Sequence, residues 1–202
     1  MTHLDAARYL LRHRMTPRRR LVAVTAVVTG LALLAAACSN STGLPAAFFP
    51  NAVDTVSLYA LRGTAITLPS AYSIQDRSTI RTDTTVNLDF AFDFDSASKP
   101  TLLPTAALHL GRASGLQRTS TAFPAITLAP SGGYILDSAV TVDTGTILYA
   151  VSRPVTCLIG AVPLYAKLHV LSVDTAARRL QFEILVDQNC GYRGLALGLP
   201  TQ

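Results

Sequence analysis

The chain has 202 residues, half of them hydrophobic and 14% charged, which suits one globular domain with an appendage. Six arginines and the single acid Asp5 precede Cys38, so residues 38–202 keep eleven basic groups against eleven acidic ones. The apparent basicity, a pI of about 9.4, therefore belongs to the first segment and gives no reason to expect nucleic acid as a partner.

The first 37 residues read as a signal segment. Arg18-Arg19-Arg20 precede an uncharged run over residues 21–37, LVAVTAVVTGLALLAAA, and then Cys38. A positive n-region, an apolar h-region and small residues before a cleavage point are the parts of an export signal. At 17 residues the run falls short of the ~20 needed to span a bilayer comfortably. Met15 opens a more compact n-region, which makes residues 1–14 a candidate mis-called start. The residues after the paired arginines do not extend a twin-arginine pattern.

Leu34-Ala35-Ala36-Ala37-Cys38 resembles the lipobox of bacterial lipoprotein precursors. The resemblance covers this segment only, and Ala35 stands where that family prefers Leu. It implies a signal helix removed before Cys38, a diacylglycerol on the Cys38 sulfur, and membrane attachment through that lipid. Ser39 follows the cysteine rather than Asp, which by the same analogy favours the outer membrane over the inner. An ordinary secretion signal or an uncleaved anchor is the alternative.

Residues 38–52 mix Ser, Asn, Thr, Gly and Pro and read as the lipidated cysteine and a flexible tether. Phe48 and Phe49 are expected to begin the packing, as core or lid, in preference to dipping into a membrane. Residues 53–202 read as a single β-rich domain. Residues 55–61 suggest a strand, with 64–68 returning as a hairpin arm before Pro69. Residues 85–95 alternate most clearly: Val86, Leu88, Phe90, Phe92 and Phe94 share one face, and Asp89, Asp93 and Asp95 the other. Residues 106–110 suggest another strand, residues 139–142 and 146–152 a hairpin about Asp143-Thr144-Gly145, and residues 164–173 and 180–186 the clearest hairpin. No helical stripe appears after Cys38. The pattern predicts an all-β antiparallel sandwich, or a small barrel, of roughly 7–9 strands; it lacks the long lipid-facing strand series of an outer-membrane barrel.

With Cys38 assigned to the lipid, Cys157 and Cys190 remain, and an exported protein pairs such cysteines as a disulfide. Free thiols or a metal pair are the alternative, without CxxC spacing or a nearby histidine to support them. Asp89, Asp93 and Asp95 are weak candidates for a hard cation such as calcium. Same-face neighbours on a strand sit ~6–7 Å apart, too far to share an ion unaided, so a solvated sheet face is expected. His109 and His169 are the domain's histidines, with no GxSxG elbow and no acid beside His109 in sequence. Ser131-Gly132-Gly133 reads as a turn. Tyr192 and Arg193 lie in DQNCGYRG, either a recognition surface or a disulfide-closed turn. Arg178 and Arg179 are expected in solvent at a hairpin tip.

No cofactor and no catalytic constellation is expected. The reading is a lipid-anchored cell-envelope protein whose domain binds or assembles something without catalysis. Two alternatives stand beside it: a lipocalin-like carrier of an apolar ligand, and an envelope hydrolase using His109 or His169.

Overall fold

The structure is a computed structural model that describes residues 44–201 apart from Arg112. Cys38 and the expected signal helix lie outside the described residues. Among the described residues twelve strands run in chain order: β1 (Val53–Tyr59), β2 (Ala71–Ser73), β3 (Ser78–Ile80), β4 (Phe90–Phe94), β5 (Pro100–Pro104), β6 (Gly115–Thr119), β7 (Val140–Thr141), β8 (Ile147–Val151), β9 (Val155–Cys157), β10 (Gly160–Val162), β11 (Tyr165–Asp174) and β12 (Arg179–Asp187). Single 3-10 turns occupy Thr105–Leu108 and Phe123–Ala125.

The strands form two antiparallel five-stranded sheets, β1-β12-β11-β8-β6 and β3-β2-β4-β5-β7, with β9 and β10 as a separate hairpin. This is an all-β sandwich, and neither sheet closes into a barrel. The physical cause is legible in β12. Leu180, Phe182, Ile184 and Val186 alternate onto the inner face and are fully buried or nearly so. They meet Tyr72, Phe90 and Phe92 of the facing sheet in one continuous core. Tyr72 and Phe90 stack at 5.6 Å between ring centroids, and both rings lie 6.0 Å from that of Phe182. Aromatic side chains fill the space between the sheets, where a lipocalin-like carrier needs a cavity.

A second, smaller core lies on the outer face of the first sheet. There Phe123, Ile126 and Ala129 of the β6–β7 connection cover Leu185, together with Leu195. The outer face of β11 and β12 is thus covered at Lys167, Leu185 and Asp187, while Arg179, Gln181, Glu183 and His169 keep the half-exposed alternation of a two-layer sandwich.

The structure corrects several expectations. Residues 64–68 form turns, and the hairpin partner of that region is β2 with β3. The alternation over 85–95 ends at a bend at Asp89: Val86 is exposed, and Leu88 packs with Ala71 and Ala91 away from the phenylalanines. Residues 106–110 are largely a 3-10 turn, not a strand. The turn at Asp143-Thr144-Gly145 exists, closed by the Thr146 amide donating to Asp143 O at 2.9 Å. Its two arms part, however: β7 pairs with β5 and β8 with β6 and β11, so the turn carries the chain from one sheet to the other. The twelve strands exceed the expected number because β2, β3, β7, β9 and β10 are only two or three residues long, too short for periodicity to register.

Candidate functional site

The segment that enters the sandwich defines one pole of it. Where composition suggested a tether, residues 44–51 lie hydrogen-bonded along the segment after β12. Asn189 Oδ1 accepts the amides of Phe48 and Phe49 at 2.7 and 2.9 Å, and Asn189 Nδ2 donates to Phe49 O at 2.8 Å. Tyr192 Oη donates to Pro45 O at 2.8 Å. Asn51 exchanges backbone bonds with Gly198, and its Nδ2 donates to Gly194 O at 2.8 Å and Ala196 O at 3.0 Å.

The disulfide Cys157–Cys190 joins the same pole to the β9–β10 hairpin across a Cα–Cα distance of 6.1 Å. Leu158 and Ile159 form that hairpin's tip. Beneath the strap, Asp187 is fully buried. Its Oδ1 accepts the Asn189 backbone and side-chain amides, both at 2.9 Å. Burial pushes its carboxyl up to about 6, against the pull of the Asn189 bonds and the Gly194 amide.

The strap's backbone is docked while its rings are not. Phe48 is 79% exposed, Phe49 49% and Leu158 99%. This corrects the expectation that the two phenylalanines pack as core or lid. The three residues line one shallow depression with Pro45, Ala46 and Tyr192.

The aspartates of the β4 region do not form a solvated face and do not come together. Asp89 is buried: its Oδ2 accepts the Ile74 amide at 2.7 Å, and its Oδ1 accepts the Arg153 amide at 2.7 Å and Arg153 Nε at 3.1 Å. Asp93 is buried too, accepting Arg62 Nε at 2.6 Å, with Arg178 at 3.6 Å. Asp95 closes the β4–β5 turn by accepting the Ala97 and Lys99 amides, both at 2.8 Å. Each carboxylate is occupied separately, and no cluster of three metal-binding side chains occurs among the described residues. Arg178, expected in solvent, lies 4.6 Å above the Phe94 ring and donates to Arg62 O at 2.8 Å.

The two histidines lie apart in the fold. His109 is exposed, in the left-handed C-cap of the first 3-10 turn. His169, on the outer face of β11, holds Glu183 Oε1 at 2.8 Å through Nδ1. That contact is the orienting half of a catalytic triad. The strand register supplies no matching nucleophile beside it. Across the sheet the order is Thr55, Glu183, His169, Ile147, Thr119, so each threonine of that row stands two strands from the histidine, with Glu183 or Ile147 between them. The Phe123 ring lies 6.1 Å from the imidazole.

Lys167, two residues away on the same face, is buried and fastens the overlying connection. Its Nζ donates to Phe123 O at 2.9 Å and Ile126 O at 2.8 Å, and lies 4.7 Å over the Phe123 ring. Burial pulls its pKa below the usual lysine value, with the Glu183 charge acting in the opposite sense.

Tyr192 is turned inward onto the strap, and Arg193 O accepts the Ala129 amide at 2.8 Å. Sequence reasoning missed Asn51, Lys167, Asp187 and Asn189. A lysine between Ala166 and Leu168 in a strand was the one available signal of a buried cation; the asparagines resemble any turn residue. No protein-family model matches this chain, and a search of curated proteins returns no significant match.

Proposed function

We propose that this chain is a lipid-anchored cell-envelope protein whose β-sandwich acts in binding or assembly, without catalysis. The observation that carries the reading is the paired Cys157 and Cys190 in a chain whose remaining cysteine, Cys38, ends a lipobox-like run. A disulfide of this kind persists in oxidising compartments, which is where such a signal delivers a protein. The strap supports it further. Only six residues separate Cys38 from Pro45, where the chain is already fixed to the domain, as it is again at Phe48 and Phe49. Attachment by several acyl chains is effectively stable, at ~0.8 kcal/mol for each buried methylene. The placing of Thr55 and Thr119 each two strands from His169, behind Glu183 and Ile147, weighs against the hydrolase alternative. The filled sandwich interior weighs against the carrier. The Ser39 analogy favours the outer membrane as the anchoring surface.

The test is metabolic labelling with a fatty acid in a bacterial host. The wild-type chain takes up label and shortens. Cys38→Ala remains unlabelled and keeps its precursor mass. Equal labelling of the two chains, or none in the wild type, overturns the anchor.

A further inference from the structure

We infer that the face formed by Phe48, Phe49 and Leu158 seats against the lipid surface to which the chain is anchored. The inference rests on the lipid-anchor reading and adds an orientation to it.

Four observations carry it. First, these are large apolar side chains on a firmly held backbone. Asn189 clamps the strap and the disulfide closes the hairpin, so the rings are presented outward by structure rather than by fraying. Phe48 and Phe49 also fix each other edge to face at 5.2 Å. Second, the chain segments that present these side chains hold no charged residue. Residues 44–53, 154–166 and 188–192 contain no Asp, Glu, Lys or Arg. Phe and Leu, presented from uncharged segments, are side chains that enter the headgroup–acyl boundary.

Third, the depression between them holds about 160 Å³. That is below the ~300 Å³ at which small-molecule pockets begin, so the feature is a surface rather than a ligand site. Fourth, Leu44 is the sixth residue after Cys38. Six residues extend at most ~20 Å, so a lipid on Cys38 would tether this pole within that reach of the bilayer.

The chain contains no tryptophan, which makes the test direct. Phe48→Trp and Leu158→Trp each introduce a single reporter at a position exposed enough to accept it without repacking. Ile66→Trp is the control. Ile66 is 69% exposed in the connection beyond the far end of β1, a seven-residue strand, or ~20 Å. Each full-length variant is reconstituted in phosphatidylcholine vesicles containing brominated lipid, and the same preparations are assayed for fatty-acid label on Cys38.

The expected result is blue-shifted emission, quenched by bromolipid, at positions 48 and 158, with position 66 red-shifted and open to iodide. Labelled protein with unquenched reporters at positions 48 and 158 overturns the seating and leaves the anchor standing. Unlabelled protein with quenched reporters sustains the seating and removes the lipid. Unlabelled protein with unquenched reporters removes both. Blue-shifted emission without lipid quenching means that a protein, a second copy included, covers the face, and overturns the proposal. Equal quenching at all three positions overturns it as well.

Discussion

Asn189 holds both backbone polar groups of Phe49: its Oδ1 accepts the Phe49 amide at 2.9 Å and its Nδ2 donates to the Phe49 carbonyl at 2.8 Å. The residues are 140 positions apart, so the clamp ties the start of the domain to its end. Asn189 is itself buried and set by Asp187. Asn189→Ala therefore removes the clamp's three bonds to Phe48 and Phe49 at once. At ~1 kcal/mol net for each bond, the loss is about 2–3 kcal/mol. The strap should also become cleavable between positions 44 and 50 while the sandwich stays intact. Limited proteolysis with mass spectrometry reads this; an uncut strap in a destabilised domain would contradict it.

The Asp89–Arg153 pair gives a second expectation. The Asp89 carboxylate accepts three hydrogen bonds, from Ile74 and twice from Arg153, while almost wholly shielded from water. Asp89→Ala takes the acceptor from the Ile74 and Arg153 amides and from Arg153 Nε, leaving the guanidinium only its bond to Asn87, a loss of about 3 kcal/mol. The comparison is Asp83, which holds Arg81 at 2.7 Å on the surface. Water solvates either group there, so Asp83→Ala should leave the urea midpoint where it was. Equal shifts in the two variants would show that burial is not what gives the Asp89 pair its weight.

The same residue marks where the sequence stops being legible. The final hairpin was readable because β11 and β12 are ten and nine residues long, and β12 alternates strictly about Leu180, Phe182, Ile184 and Val186. Such strands repeat the period often enough to be seen. Asp89 and Asp93 look like a wet face because alternation distinguishes two faces but not what lies over them. Their burial depends on Arg153 and Arg62, 64 and 31 residues away, and on a sheet order no local pattern encodes. Phe48 and Phe49 failed in the opposite sense. An aromatic pair reads as core, yet the Asn189 clamp takes their backbone and leaves the rings outside.

Asp187 predicts an inverted pH response. Its carboxyl sits near 6 in the folded domain because it is buried, against ~3.9 in an unfolded chain. The folded state therefore holds this proton more tightly. The stability it contributes is complete below about pH 4 and is lost as pH rises towards 6, by ~2–3 kcal/mol. Asp187→Asn keeps an acceptor for the Asn189 amides and carries no charge. Thermal melts should show the variant more stable than wild type at pH 7.5, with the difference shrinking to nothing at pH 4. A variant less stable at both values would show that the ionised carboxylate supports the strap.

The disulfide stabilises the domain from its edge, and that place in the fold decides what reduction does. Cys157 and Cys190 lie 33 residues apart, enclosing the β10 hairpin arm and the whole of β11 and β12. An unfolded chain constrained over that length loses about 3–4 kcal/mol worth of conformational freedom, so reduction should lower the stability of the domain by that order. The bond lies at the strap's pole, with Cys157 at the margin of the main core, so the reduced domain should keep its far-ultraviolet circular dichroism while Leu158 and Ile159 gain freedom. Alkylation under denaturing conditions provides the parallel count: no labelled cysteine at 157 or 190 before reduction, and two after. Two labelled positions before reduction would mean the pair is open in the native protein, and would remove with it the compartment argument that joins this pole to Cys38.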